Sequence, residues 1–477
     1  MSNRTFIEHL DWVITVDPHD TVIRDATVVI DGDRLTVLGP SREIAERFRP
    51  ADGDEIVNGR GRGMCPGFVD THVHLVETLA RAHFPDRCAT PAWVFHWAKP
   101  WYAAMSEEDE HVAALLACAE MARCGTTSFL DMGASNDPRG VVQAIAQVGL
   151  RGVTGRFAAD VKPDVIPPGW SPEMVEHHFF PDAETALDVL EQCVRDYDGA
   201  ADGRIRCWVN IEGKEPCSQE LHVGARELAE RLGVGTSYHC ASSVREARLS
   251  EERYGVWPIS RIARNGGLGP NLVLAHATAT HPDEVALLAE SGTSVAFCPV
   301  SALKLAKGAT KTGRFPELRD AGVAVGLGTD GAAASGNFNL HRQMFVMAGI
   351  YKDSRVDENQ PGAAEALRMC TIDGARALGW DADVGSLEPG KKADLLLYDL
   401  NHWEWIPHHD PVQALVWSAS SASLAQTWVD GRRVFAGGAV TGIDETALHA
   451  EARARSLAVR ARSGLDQHEV PLTTTLY

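Results

Sequence analysis

Two histidines separated by one residue, His72 and His74, close a run that opens with Pro66-Gly67-Phe68-Val69 and turns polar at Asp70-Thr71. In a strand, residues i and i+2 point to the same face, so the two imidazoles stand side by side. Two neutral nitrogens at that spacing can hold one divalent ion such as zinc. Further ligands are needed to close the shell, and later segments offer them. His239 ends Gly235-Thr236-Ser237-Tyr238, His276 ends Asn271-Leu272-Val273-Leu274-Ala275, and Asp330 ends Val323 to Thr329. Each alone reads as a satisfied core or turn residue. Together, all at the ends of apolar strands, they read as a metal site.

The elements that must position them alternate. Glu107 to Cys124, Glu220 to Leu232, Pro282 to Ser291 and Arg314 to Ala321 have helical composition, and each leads into a short apolar strand. Repeated helix-then-strand order implies parallel strands and an α/β fold of the (β/α)8 TIM-barrel type, in which C-terminal strand ends converge on one face. The first sixty residues read instead as short strands: Trp12 to Val16, Ala26 to Ile30 and Arg34 to Leu38. A similar texture returns in Ala393 to Tyr398 and Thr427 to Phe435, so both chain ends are expected to build one small β-sandwich domain. The expected division is 1–63 for the first part of that domain, 64–384 for the barrel, 385–440 for its second part, and 441–477 for a helix from Glu445 to Arg462 and a tail over the last dozen or so residues.

Composition narrows the class. The 477 residues include 65 acidic and 45 basic side chains, a net charge of -20, which argues against nucleic acid or an anionic membrane as partner. The segment Met1 to Asp17 lacks the apolar centre of a signal peptide, and no apolar run approaches the roughly 20 residues a membrane helix needs. The ten cysteines are dispersed without a Cys-x-x-Cys pair, as in a cytoplasmic protein with reduced thiols.

Several of these segments carry a resemblance. Pro66 to His74, Leu274-Ala275-His276, Phe297-Cys298-Pro299-Val300-Ser301, Gly328-Thr329-Asp330-Gly331 and Gly385 to Leu395 resemble the amidohydrolase superfamily, over nearly the whole chain. The likeness is greatest to the branch holding atrazine and triazine hydrolases and guanine and cytosine deaminases. By that resemblance His72, His74 and His239 are metal ligands, Asp330 is ligand and general base, and His276 is a ligand or polarises the scissile group. It also implies a divalent metal, zinc first with cobalt, manganese or iron as alternatives, one or two ions, a small-molecule substrate and a homo-oligomer. The physical logic agrees. A bound ion lowers the pKa of its water towards about 7, a carboxylate accepts that proton and returns it to a leaving nitrogen, and a histidine stabilises charge building on a carbonyl or ring.

Two departures shape the expected function. The branch usually carries a glutamate three residues after the strand-five histidine, as acid to a ring nitrogen; here that residue is Ser242. Lys214, near the end of the preceding strand, either is a solvated loop lysine or, carboxylated, bridges two metals. Together they favour attack on the carbonyl of a small, fairly apolar amide, urea or carbamate, with a ring aminohydrolase or dechlorinase as the alternative and a non-catalytic scaffold as a third reading. Trp93, Trp97 and Trp101 lie in a segment with five aromatics in ten residues, suited to an apolar substrate wall or to packing on another subunit. Asn337, in the glycine-containing stretch after Asp330, is expected to shape the same pocket. The adjacent pair His177-His178 is expected at the surface or in a loop.

Overall fold

The computed structural model describes residues 4–465; the expected tail lies outside them. Runs too continuously apolar for a one-faced strand become strands covered on both faces: Phe68–Val73, Thr126–Asp131, Leu272–His276 and Ser294–Phe297 are buried at every position. They join two parallel sheets. One runs in the order Ile205–Cys207, Arg151–Thr154, Thr126–Asp131, Phe68–Val73. The other runs Val325–Leu327, Ser294–Phe297, Leu272–His276, Thr236–Cys240, Val209–Gly213, Phe157–Ala158. The first and last strands of the series lie side by side, because Asp330 N–H donates to His72 C=O at 2.8 Å. A Cβ on Gly326 would stand 2.2 Å from Thr71, so only glycine allows that approach.

The connecting helices follow their end signals. Glu107–Cys124 starts in a capping box between Ser106 and Asp109, carries four acidic residues in its first turn and stops at Gly125 with φ of 88°. Pro282–Ser291 and Glu445–Ser463 fall where the composition puts them. The strand expected to end near Lys214 is divided at Trp208: Ile205–Cys207 pairs with Arg151–Thr154, and Val209–Gly213 pairs with Thr236–Cys240.

Both chain ends meet in one nine-stranded sheet, in which Arg62–Pro66 lies between Arg4–Ile14 and Leu395–Asp399. The late segment Thr427 to Phe435 is a hairpin of Leu424–Val429 and Arg432–Ala436. Its turn is Asp430-Gly431, with φ of 47° and 70°, the pairing that two-residue hairpin turns favour. Two cores result: a large one through the parallel sheets and their helices, and a small one within the end sheet around Ile7, Val13, Val28, Leu395 and Trp428. Between the two sheets, buried Arg151 reaches Asp394 and Asp430. All ten cysteines are buried and free. No described helix is long and apolar enough to cross a membrane.

Candidate functional site

The parallel register brings the strand ends together. His72, His74 and His239 set ligand nitrogens within 4.8 Å of one another, and His72, His276 and Asp330 do the same with their ligand atoms. His74 Nε2 and His239 Nε2 are 3.2 Å apart. Asp330 Oδ1 lies 3.7 Å from His74 Nε2 and 3.9 Å from His72 Nε2, while Oδ2 lies 3.9 Å from His276 Nε2.

Three observations fit this donor set to a divalent ion. Both ring nitrogens of fully buried His72, and Nδ1 of His74, lack hydrogen-bond partners, which native cores seldom tolerate. Burial first, then neighbouring histidines, hold His72 well below its ordinary pKa and His74 at about 3, so both are uncharged imidazoles, the form that binds metal. His239 Nδ1 bonds the Glu212 carbonyl, the second contact that turns the other nitrogen, Nε2, towards the cluster. Burial by itself would raise Asp330, but Lys307, His276, His72 and His74 outweigh it and keep that carboxyl well below the usual range.

The backbone is strained where it presents these groups. His276 has φ of 79° and Asp330 of 62°, left-handed values that cost a non-glycine residue of order 1–3 kcal/mol. Hydrogen bonds hold them there. Ala277 N–H donates to Cys240 C=O, and Gly331 N–H donates to Asp330 Oδ1 at 2.8 Å. Buried Asp70 ties the two outermost strands, accepting from Thr329 N–H at 2.9 Å and Thr329 Oγ at 2.6 Å.

A family model described as the amidohydrolase family matches residues 64–434. The chain belongs to the amidohydrolase family. This amidohydrolase is 32% identical over 445 residues to a 5-methylthioadenosine/S-adenosylhomocysteine deaminase of Pelotomaculum thermopropionicum, covering 93% of this chain and 96% of that one. It is 28% identical to an adenosine deaminase from Xanthomonas campestris solved with bound zinc, with a TM-score of 0.84 over 96% of this chain and 98% of that one. An atrazine chlorohydrolase from Arthrobacter aurescens, solved with zinc, shares the fold with a TM-score of 0.84 at 22% identity, covering 95% and 100% of the two chains. The branch the motifs resemble, with its ring deaminases and triazine hydrolases, is the one these relatives come from.

The other sequence-predicted residues fare unequally. Lys214 is buried, and burial first, then Arg261, lowers its pKa. Its N–H donates to His239 C=O at 3.1 Å. The strand before it carries a register shift, in which Asn210 pairs with Ser237 but Gly213 pairs with His239, three residues against two, so strict alternation does not run through to Lys214. Ser242 does end the His239 turn, 9% exposed, and the carboxylate beside it, Glu246, is taken up by backbone amides, accepting from Ala241 N–H at 2.8 Å and Ser242 N–H at 2.7 Å.

Trp93, Trp97 and Trp101 fall on one helical stretch, Thr90 to Ala103, with a π turn over Val94–Ala98. They pack around Phe84, with ring centroids 5.3, 5.9 and 6.0 Å away. Trp93 and Trp101 are buried in this packing and Trp97 is half-buried. Lys99 and Tyr102 carry that stretch onto the site: Lys99 Nζ bonds Glu212 at 2.7 Å and Tyr102 Oη donates to Glu77. Asn337 is half-buried and held through its own carbonyl, which accepts from Ser335 Oγ at 3.2 Å. His178, expected at the surface, is buried, with Nε2 2.8 Å from the Lys99 carbonyl.

Glu77 was not legible as a site residue, although a lone carboxylate in the apolar run Leu75 to Ala80 was a usable signal. It is 1% exposed and sits so close to Gly331 that a Cβ there would collide with it. Burial first, then Asp330, raises its pKa from the ordinary 4.5 to about 8. Between those values the folded state keeps a proton that the unfolded chain has lost, so stability must fall as pH rises across the interval. In metal-free protein Glu77→Gln is expected to flatten that fall and to be about 1–3 kcal/mol more stable than wild type above pH ~8. Urea unfolding at both ends of the interval checks this, and parallel pH dependences in the two proteins would exclude it.

Proposed function

We propose that this amidohydrolase is a metal-dependent aminohydrolase, acting on a (β/α)8 barrel with a composite β-domain from the chain ends, that replaces an exocyclic amine or similar leaving group on a small N-heterocycle. The observation that carries the reading is the convergence of His72, His74, His239, His276 and Asp330 in a chain matched almost end to end by a relative named as a deaminase. The reading that the sequence favours, attack on an amide, urea or carbamate carbonyl, leaned on the missing acid at Ser242 and on a second metal at Lys214; relatives named as deaminases support the ring reading over it.

His72, His74, His239, His276 and Asp330 are the residues that would hold a divalent ion, with zinc the first candidate for histidine-rich donors joined by one carboxylate. Such an ion, when bound, supplies a Lewis acid and makes water nucleophilic near neutral pH. Asp330, kept ionised by its cationic and imidazole neighbours, accepts the proton of the attacking water and returns it to the departing nitrogen. His276, facing Asp330 Oδ2 through Nε2, is set to steady charge building on the ring. Tyr102 and Lys99 anchor the helical stretch Thr90 to Ala103 beside these groups through Glu77 and Glu212.

Zinc-loaded protein is expected to carry about one ion per chain and to release ammonia from at least one ring amine in a panel of adenosine, S-adenosylhomocysteine, guanine and an aminotriazine. Carboxylate or carbon dioxide from an aryl amide or urea, with no ammonia from the rings, would return the carbonyl reading. Elemental analysis giving two ions per chain would reopen a bridged centre, and inertness across the panel would favour the scaffold.

A further inference from the structure

Two buried lysines beside the donor cluster are used differently. Lys99, 1% exposed, is committed to Glu212 at 2.7 Å. Lys307, 3% exposed, has no such partner. Its Nζ lies 3.2 Å and 3.4 Å from the two His276 nitrogens and 3.7 Å from Asp330 Oδ2, an ion pair without a hydrogen bond. The other carboxylates that feel its charge are Glu77, which takes the Tyr102 hydroxyl, and Glu246, which takes two backbone amides. An ammonium carries three donors and no acceptor. At most one is satisfied by the His276 ring, and burying the rest is costly until an acceptor arrives.

The fold holds this side chain where it is. The helix Pro299–Lys304 stops short, Ala306 adopts φ of 50°, and Lys307 N–H donates to Ala302 C=O at 2.9 Å. Val244 N–H donates to Lys307 C=O at 3.1 Å, and Gly308 packs so tightly that a Cβ would stand 2.5 Å from Val244 Cγ2. Val244 begins the helix that follows the Ser242 turn. Lys307 is therefore pinned across the turn from which the acid is missing.

We propose that Lys307 binds an oxo or anionic group on the substrate ring, next to the carbon under attack, so that the preferred substrates are N-heterocycles bearing such a group. The inference rests on the aminohydrolase reading and narrows its substrate class. With no carboxyl at Ser242 to protonate a ring nitrogen, a fixed positive charge takes up the negative charge that grows on the ring. Bonds to charged groups in dry sites are the strong ones, so losing this one should be visible in binding alone.

The test is calorimetry on zinc-loaded wild type, Lys307→Met and Lys307→Arg with two probes, barbiturate as an anionic oxo ring and an uncharged aminopyrimidine. Wild type is expected to prefer barbiturate. The methionine variant should lose about 10- to 100-fold for barbiturate and little for aminopyrimidine, and arginine should restore part of the preference. Zinc content should be equal in all three, and Lys307→Gln, which removes the charge and keeps a polar end on a shorter stem, gives the same reading should the methionine variant not fold. No barbiturate preference in wild type, equal loss for both probes, or loss of zinc would overturn the assignment, the last by making Lys307 a support for the ligands. Ammonia release from neutral ring amines by wild type, assayed alongside, tests the aminohydrolase reading separately.

Discussion

Asp330→Asn is expected to lower kcat by about 10³-fold or more while the chain still folds and still takes up metal. Asparagine has nearly the shape of aspartate and its side-chain oxygen can still accept from Gly331 N–H, which helps hold the left-handed turn. It cannot accept a proton. In wild type the carboxylate is kept ionised by Lys307 and the surrounding histidines, so it is available as a base throughout the neutral range. Because a base acts in the reaction and not in holding the ground state, kcat should fall far more than KM rises. Zinc content and circular dichroism must be read beside the kinetics, since Asp330 also faces His72 and His74. Activity within tenfold of wild type would remove Asp330 as the base.

The donor cluster was legible because each member obeys a simple rule. His72 and His74 share a face by the two-residue period of a strand, and His239, His276 and Asp330 follow apolar runs whose length sets where they end. What sequence periodicity could not carry were departures from regular geometry. The register shift after Asn210 breaks the alternation that leads to Lys214, and nothing in the spacing of Glu212, Lys214 and Glu215 announces it. Lys304, Lys307 and Lys311 have the spacing of a solvated helix face, yet the helix ends at Lys304 and the turn at Ala306 sends Lys307 inward. Lys99 did leave a signal: it is the only Lys, Arg, Asp or Glu between Arg87 and Glu107, in an aromatic stretch where an isolated charge needs a partner. The tryptophans around it drew attention as a ligand wall, whereas large rings in a covering helix first fill the core beneath it.

Arg151→Met is expected to cost about 3–5 kcal/mol of stability, the largest effect outside the site. Arg151 is 4% exposed, and its guanidinium reaches Asp430 Oδ1 at 2.5 Å and Asp394 Oδ2 at 3.3 Å. Asp430 is the hairpin turn of the end sheet, Asp394 accepts from its N–H at 2.9 Å, and Asp394 C=O accepts from Gly67 N–H at the start of the His72 strand. One arginine thus fastens the sheet built from the chain ends to the strands that carry the metal donors. Methionine fills much of the same volume but leaves Asp394, only 3% exposed, without its cation, and an unpaired buried carboxylate is what makes breaking such a pair costly. Lys392, 3.5 Å from Asp430, still faces one of the two acids, which keeps the loss within that range. Pairing Arg151→Met with Asp394→Asn should recover part of the loss, because the orphaned charge is then gone, and urea unfolding of the four proteins in the cycle measures that coupling. Strictly additive losses would mean that Arg151 acts through its packing against Trp380, 5.9 Å from its guanidinium, and not through the acids.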